Sequence, residues 1–285
     1  MSIGSHLRFC LLMLLAACGA HKSQLPPSAA STLAATPMLS EKTEEAKKPN
    51  QARPLDKHWD SCFSFRTHSV SEKHDGYCPY ELSAEYPELA SSKANVKRFN
   101  RWIKRKVLND VARFRRLELN AEPRARKEGK RGMLEGLELT FKVYYTNKRF
   151  VSLRLTHRVM AAGQMHPINH YETINYDLNK HRALRARDVF KRGYLPAFST
   201  YSRKWLHATY EIANDDWFME GTTPRAKNFP NWNIVPDGVL ISFEDYQVSS
   251  HSFGQPELIV PYSVLGRLLR RHDLIEHFVQ ASGRS

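Results

Sequence analysis

The amino-acid sequence predicts an α+β fold, an antiparallel sheet with helices packed on one face. Apolar residues recur at steps of three and four over about 91–117, as they do on an amphipathic helix. Over 137–155 they alternate with polar residues, the period of half-buried strands. The helical and strand patterns come in separate runs rather than in strict alternation, which is typical of α+β proteins.

The first 17 residues are typical of a lipoprotein signal peptide. Arg8 is their single charged residue, and the apolar run FCLLMLLAA that follows it is too short to span a bilayer. The tetrad LAAC, which ends at Cys18, resembles the lipobox of bacterial lipoproteins. That resemblance implies cleavage before Cys18 and a lipid on its sulfur. Gly19, in place of an aspartate, implies sorting to the outer membrane.

The alternative to lipidation is an ordinary secretory signal cut at another position. Both interpretations place the protein outside the cytoplasm. We therefore expect an outer-membrane lipoprotein, anchored to the membrane by its lipid, that faces the periplasm or is exported to the surface. The net charge of +14 indicates an anionic partner, but in this compartment nucleic acid is not expected.

Residues 18–57 are rich in Ser, Ala, Thr, Pro, Glu and Lys and lack an apolar period, so they are predicted to form a disordered tether. The folded domain is predicted over 58–281. We divide it into an N-terminal half, 58–178, and a C-terminal half, 179–281.

Two of the four cysteines remain for the folded domain, since Cys10 lies in the leader and Cys18 carries lipid. In an oxidising compartment Cys62 and Cys78 are expected to form a disulfide. A metal site built on the pair would need further cysteines.

The helix predicted over about 91–117 is strongly basic on its outer face, and the segment EPRARKEGKRG after it is predicted to be a basic loop. Between Lys97 and Arg131 there are fourteen basic and four acidic residues, a net charge of +10. A solvated helix face is the usual fate of such residues, but like charges at this density oppose folding and favour an anionic ligand. The candidate ligand-binding residues are Lys97, Arg98, Arg101, Lys104, Arg105, Arg124, Arg126, Lys130 and Arg131.

The remaining elements follow from local patterns. Strands are predicted at 137–145, 151–155 and 170–178, then a helix around 195–212. A Pro-Asp-Gly turn at 236–238 joins two further strands, and a short strand over 257–262 leads into a closing helix from Ser263.

Two segments carry a family resemblance: INYDLNKHRALRARDVFK, residues 174–191, and DGVLISFEDYQVSSHSFGQPELIVPYSVL, residues 237–265. They resemble an extracytoplasmic domain of unknown function. That domain forms the sensing region of the lysozyme-responsive anti-sigma factor RsiV and lies beside the catalytic domain of the peptidoglycan deacetylase PdaC. The resemblance extends over most of 60–280 and implies an α+β domain in the envelope. It does not imply an enzyme. Lys180 and His181 replace the glycine usual in the family's turn.

Loop residues supply a second set of binding candidates: His166, Tyr246, His251 and Gly254. The segment 249–254 is predicted to be an exposed loop between strands, and binding residues collect in such loops. Tyr246 and Gly254 fall where the family resemblance places a tyrosine and a glycine. His166 belongs to a loop at the sheet edge.

Several catalytic or metal hypotheses are weaker than their structural alternatives. His166 and His170 have helical metal-ligand spacing, but Pro167 between them opposes a helix. Asp177 and Asp188 fit a strand end and a turn cap better than a catalytic pair. We therefore expect no catalytic residue, no metal and no cofactor. Aromatic residues of 214–233 fit the lid of a core better than a sugar-stacking surface; they are Trp217, Phe218, Phe229 and Trp232.

The sequence thus predicts a non-catalytic, lipid-anchored envelope protein that binds peptidoglycan, lipopolysaccharide or another anionic glycan or lipid. The alternative is a lysozyme-binding inhibitor or sensor. Two basic surfaces repel, which opposes this alternative, although acidic residues between Glu211 and Glu220 offer a local complement. An envelope hydrolase or deacetylase is the third possibility.

Overall fold

The protein is described by a computed structural model that covers Trp59, residues 61–270 and Phe278. The predicted signal peptide, Cys18 and the predicted tether lie outside these residues. Within the described part of the chain, no helix combines the length and the apolar character that crossing a membrane requires.

The first part of the described chain forms a six-stranded sheet, whose strands lie side by side in chain order. The strands are β1 (Phe65–His74), β2 (Tyr80–Leu89), β3 (Glu135–Asn147), β4 (Phe150–Met160), β5 (Ile168–Asp177) and β6 (Arg182–Ala183). Neighbours are antiparallel except β2 and β3, which are parallel. The prediction of an antiparallel sheet therefore holds for four of the five pairings. The exception arises because the long helix α1 (Ala94–Glu128) returns the chain to the end of the sheet at which β2 began.

Helix α1 buries one stripe against the six-stranded sheet. Val96, Phe99, Ile103 and Val107 of this stripe are fully buried, as their spacing predicts. The helix runs to Glu128, so the prediction of a loop over 122–132 is wrong for most of that segment.

Pro123 does not end α1, although a proline inside a helix removes a hydrogen bond and crowds the preceding turn. Ion pairs between residues four apart support this last part of the helix: Arg124 with Glu128 and Arg126 with Glu122. The helix ends at Gly129, which adopts the left-handed conformation with φ of 63° that glycine tolerates best.

A second, three-stranded antiparallel sheet is built by β7 (Trp232–Val235), β8 (Gly238–Ser242) and β9 (Glu257–Pro261). The helices around it are α2 (Ala186–Val189), α3 (Tyr194–Tyr210), α4 (Asp216–Gly221) and α5 (Tyr262–Leu265). Three 3-10 turns complete this region, at Ala226–Asn228, His251–Phe253 and Gly266–Leu268.

The second sheet covers the face of the first sheet that α1 leaves open. Along β8, Val239 and Ile241 pack in one cluster with Phe198 and Leu206 of α3. Leu240, between them, packs with Tyr144 of β3 instead. The order of layers is therefore α1, first sheet, second sheet, α3. The α+β class is confirmed, while helices cover the outer faces of two sheets rather than one face of one sheet.

The predicted disulfide between Cys62 and Cys78 is wrong, since the two sulfurs are not bonded to each other. Cys62 precedes β1, and its N–H donates to Thr146 O near the end of β3. Cys78 lies in the β1–β2 turn, next to the start of β3. The ten-residue strand β1 separates them by roughly 30 Å at about 3.3 Å per residue. A disulfide needs Cα atoms about 4.4–6.8 Å apart.

Candidate binding surfaces

Five of the predicted basic residues form one exposed surface on the first part of α1. We call this set the basic stripe; its members are Lys97, Arg98, Arg101, Lys104 and Arg105. Their spacing places them on one side of the helix, opposite the buried stripe. All five side chains are exposed, and none pairs with a carboxylate among the described residues. The stripe thus presents five positive charges along about 12 Å of helix.

The other four predicted basic residues lie far from the basic stripe. Arg124 is about 28 Å further along the helix than Arg105, at about 1.5 Å per residue. Arg124 and Lys130 pair with Glu128, Arg126 pairs with Glu122, and Arg131 donates to the Asp75 carbonyl. The structure therefore divides the predicted basic face into a stripe without described carboxylate partners and a distant group with local acceptors.

The loop candidates His166, Tyr246 and His251 meet in space, although about 80 residues separate the first from the others. The His166 and His251 rings stack 3.9 Å apart at an angle of 8°. The Tyr246 ring is centred 6.2 Å from the first and 5.5 Å from the second. Its hydroxyl lies 3.1 Å from His166 Nε2, within hydrogen-bond distance. We call these three residues the ring cluster.

Strand β5 positions the loop that carries Tyr246 and His251. The Asp245 carboxylate accepts hydrogen bonds from the backbone N–H and the side-chain amide of Asn169, at 2.8 and 3.1 Å. The other Asp245 oxygen lies 3.6 Å from His251 Nδ1. Asp245 therefore ties the loop to the start of β5 and lies beside the histidine. Its role was missed in the sequence, because nothing local shows that the β8–β9 loop reaches β5.

The backbone of the ring cluster adopts unusual conformations. Tyr246 has φ of 60°, a region that is costly for a bulky residue. Trp217 Nε1 donates to the Tyr246 carbonyl at 2.8 Å and helps to hold that conformation. Gly254, with φ of 84°, donates its N–H to the His251 carbonyl and closes the loop. Gly254 thus shapes the loop through its backbone.

The rings of Tyr246 and Trp217 remain accessible, at 40% and 45% exposure. By contrast Phe218, Phe229 and Trp232 are buried, as the core-lid interpretation predicts. Flat, partly exposed aromatic faces can stack on the apolar face of a sugar ring. The arrangement therefore offers a stacking surface made of Trp217 and the ring cluster.

Basic stripe and ring cluster lie at opposite ends of the first sheet. Asn100 of α1 hydrogen-bonds both the N–H and the carbonyl of Leu89, which places the stripe at the end of β2. The ring cluster lies where β4 ends and β5 begins. The eleven residues of β4 span roughly 35 Å between the two ends.

The residues behind the weaker chemical hypotheses have separate structural roles. His166 is in the β4–β5 turn, whereas His170 is on β5 with its Nδ1 3.5 Å from Glu244 Oε2. Asp177 accepts the N–H groups of the following turn, at residues 179 and 180. Asp188 pairs with Arg182 and accepts the Arg185 N–H; these contacts lower its pKa to about 2.

The C-terminal part of the chain matches a known family. Residues 187–263 match the family described as protein of unknown function (DUF3298). Over 137 residues the chain is 28% identical to the peptidoglycan-N-acetylmuramic acid deacetylase PdaC of Bacillus subtilis (strain 168). That alignment covers 47% of this chain and 29% of the deacetylase. The resemblance to a domain of unknown function found beside PdaC is thereby confirmed.

Two solved structures share the fold. A DUF3298 family member from Bacteroides fragilis NCTC 9343 has a TM-score of 0.56 at 16% identity and covers 77% of this chain and 98% of its own. A DUF3298 protein from Pseudomonas aeruginosa PAO1 has a TM-score of 0.52 at 16% identity, with coverage of 73% and 95%. At these identities the likeness shows the fold alone.

Proposed function

We propose that this chain, whose residues 187–263 form a DUF3298 domain, is a non-catalytic, lipid-anchored protein of the cell envelope. It binds peptidoglycan or another anionic glycan. The basic stripe is the observation that carries this proposal. Relatedness to a protein named as a peptidoglycan deacetylase supports the choice of peptidoglycan among the anionic polymers of the envelope.

The basic stripe supports anion binding because its five charges have no carboxylate partner in the described chain. Elsewhere on α1 several basic residues are locally compensated, for example Arg113 by Asp110 and Arg115 by Glu72. Uncompensated like charges on one helix face repel each other, and an anionic polymer relieves that repulsion. Peptidoglycan stem peptides carry carboxylates at regular intervals, which suits a linear array of cations.

The ring cluster supports a sugar as part of the ligand. Stacking of Tyr246 and Trp217 on a pyranose ring needs no charge, so this surface can contact the glycan itself. The two surfaces lie toward opposite ends of the first sheet, so they engage separate parts of a long polymer. A short neutral glycan is expected to reach only the aromatic surface.

The test is co-sedimentation of the mature chain, in detergent, with purified peptidoglycan sacculi. A variant with Lys97→Glu, Arg101→Glu and Lys104→Glu should lose about tenfold or more in affinity. The matched control reverses three charges at the other end of the helix, Arg124→Glu, Arg126→Glu and Lys130→Glu, and should bind like the wild type. An equal loss of affinity for sacculi in both variants would show that net charge alone matters. It would refute a specific role of the basic stripe in binding.

The aromatic contact is tested separately with an uncharged chitooligosaccharide. Trp217→Ala should weaken its binding, whereas Met219→Ala, an exposed apolar residue of the same helix, should not. If both variants bind the oligosaccharide like the wild type, the ring surface does not contact sugar.

Lysozyme binding is the second candidate function. Glu211, Asp215 and Asp216 are exposed beside the accessible ring of Trp217, a local acidic surface suited to a basic partner. Adding lysozyme to the same assay separates the candidates. The inhibitor or sensor is favoured if the wild-type chain binds lysozyme but not sacculi. In that case a double variant with Glu211→Lys and Asp216→Lys should lose lysozyme binding.

The lipid anchor is tested through Cys18. The wild-type chain should partition into membranes and carry a lipid mass on an N-terminal cysteine. Cys18→Ala should be recovered in the soluble fraction without that mass. Membrane recovery of both forms would refute the anchor.

A further inference from the structure

A cluster of one buried histidine and two partly buried carboxylates lies where α1 crosses the first sheet. It consists of Asp110 on α1, His157 on β4 and Glu172 on β5. One potential ligand atom from each residue lies within 4.8 Å of the other two. In the β4–β5 register Leu155 is opposite Glu172, so Glu172 is the diagonal neighbour of His157 on the helix-covered face.

Two atoms of this cluster are buried without a hydrogen-bond partner in the described structure. His157 is only 4% exposed, and its Nε2 has no donor or acceptor within hydrogen-bond distance. Asp110 Oδ2 is likewise buried and accepts no hydrogen bond. Buried polar atoms are normally satisfied, and leaving one unsatisfied costs free energy. Both atoms belong to the same small cluster, which indicates a missing common partner.

Positive charge already lies beside the cluster. Lys106 Nζ is 2.7 Å from Glu172 Oε2 and 3.6 Å from Asp110 Oδ2. Arg113 donates to the other Asp110 oxygen at 2.8 Å. An ammonium group therefore occupies the position a cation would take between the two carboxylates. It donates no hydrogen bond to His157, whose Nε2 has no partner in the described structure.

We propose that Asp110, His157 and Glu172 form a binding site for a divalent transition metal, and that Lys106 fills the carboxylate side of this site when no metal is bound. One imidazole nitrogen and two carboxylate oxygens suit Zn²⁺, Mn²⁺ or Fe²⁺ better than Ca²⁺ or Mg²⁺. The metal satisfies both unpartnered atoms at once.

The surroundings favour this assignment. Burial lowers the pKa of His157, which keeps the imidazole neutral and its lone pair available for a metal. Glu172 and Lys106 are partly exposed, with 28% and 22% of their side-chain surface accessible, so one can close on the ion while the other swings into solvent. The site then links α1 to β4 and β5.

The experiment is titration of the purified, chelator-treated mature chain with Zn²⁺ and Mn²⁺, followed by calorimetry and thermal unfolding. One equivalent of metal should bind and raise the melting temperature. Asp110→Asn and His157→Gln should each weaken binding by about tenfold or more. His68→Gln serves as the control: it removes a histidine of β1 that pairs with Glu88 of β2, and metal affinity should not change.

Lys106→Met gives a test that does not depend on a buried substitution. Its side chain is partly exposed, and its removal takes away the competing ammonium. Metal affinity should therefore increase by about tenfold. Equal metal binding by wild type and His157→Gln, or no gain in Lys106→Met, would overturn the proposal. Neither result bears on glycan binding, which depends on other residues.

Discussion

Arg154 of β4 donates to the carboxylate of Glu257 on β9, and the pair lies fully inside the interface between the two sheets. Arg154 is 5% exposed and Glu257 1%. Tyr144 and Ser242 also donate to Glu257, at 2.8 and 2.9 Å. The Arg154 guanidinium lies 3.8 Å from the centre of the Tyr171 ring. The pair is thus compensated by both charge and hydrogen bonds.

Removing one member of this pair should be strongly destabilising. Glu257→Leu leaves the Arg154 cation buried without its counter-charge, which costs about 3–5 kcal/mol of unfolding free energy. Arg154→Met with Glu257→Leu should recover much of that loss, because no charge is then left in the interface. Urea denaturation of both variants measures the difference. A loss below about 1 kcal/mol in Glu257→Leu would contradict a buried, desolvated pair.

The stability of the protein should depend on pH through Glu118 and Glu135. Glu118 of α1 and Glu135 of β3 have buried carboxyl groups that hydrogen-bond each other; burial raises the pKa of Glu118 to about 7 and that of Glu135 above its ordinary range. The folded state therefore retains a proton that the unfolded chain releases near pH 4.5. The stability linked to this proton is fully present below pH 4.5. It is lost as pH rises through about 7, the pKa of Glu118 in the folded state.

Glu118→Gln isolates the effect. It keeps a hydrogen-bonding group beside Glu135 but does not titrate. Between pH 5 and pH 7.5 the wild type should lose roughly 2–3 kcal/mol relative to this variant, measured by urea denaturation at each pH. Parallel stability profiles would show that Glu118 does not hold a proton in the folded state.

Gly221 should not tolerate a side chain. A Cβ at this position would lie 1.9 Å from the Gln247 carbonyl oxygen, next to Tyr246. Gly221→Ala should therefore destabilise the fold by about 1–3 kcal/mol and shift the loop that carries the ring cluster. Gly136→Ala, where the nearest atom is 3.5 Å away, is the control for thermal unfolding. Equal melting temperatures of Gly221→Ala and wild type would argue against this contact.

The two cysteines of the folded domain should behave independently. Cys62 is exposed and should react with iodoacetamide in the native protein, whereas buried Cys78 should react only after unfolding. Mass spectrometry without reductant should find both modified once the chain is denatured. A tryptic species joining the two cysteine peptides would instead support the disulfide predicted from the sequence.

The sequence was sufficient where local periodicity determines structure. The apolar residues from Val96 to Val111 predicted α1, and alternation predicted β3 and β4. It was insufficient where local preference and neighbouring contacts disagree. Pro123 favours a helix end, but flanking ion pairs and packing carry α1 on to Glu128.

Contacts distant along the chain were the other limit. The candidates His166, Tyr246 and His251 were identified one by one, but that their rings stack depends on the second sheet's loop reaching β5. Asp110 and His157 were not identified, although each is a polar residue at an inward position of its pattern. Such positions, taken together across elements, are the available indication of a buried site.

The segment that matches the family depends on the first sheet for part of its packing and hydrogen bonding. Residues 187–263 contain all of the second sheet, yet their inward-facing polar groups find partners earlier in the chain: Asn233 donates to Ser152 and to the Leu153 carbonyl. If residues 187–263 were expressed alone, these polar groups and the face of the second sheet that packs on the first sheet would be exposed to solvent. The folding unit of this chain is therefore larger than the matched segment, since it includes the strand β4 that carries these partners.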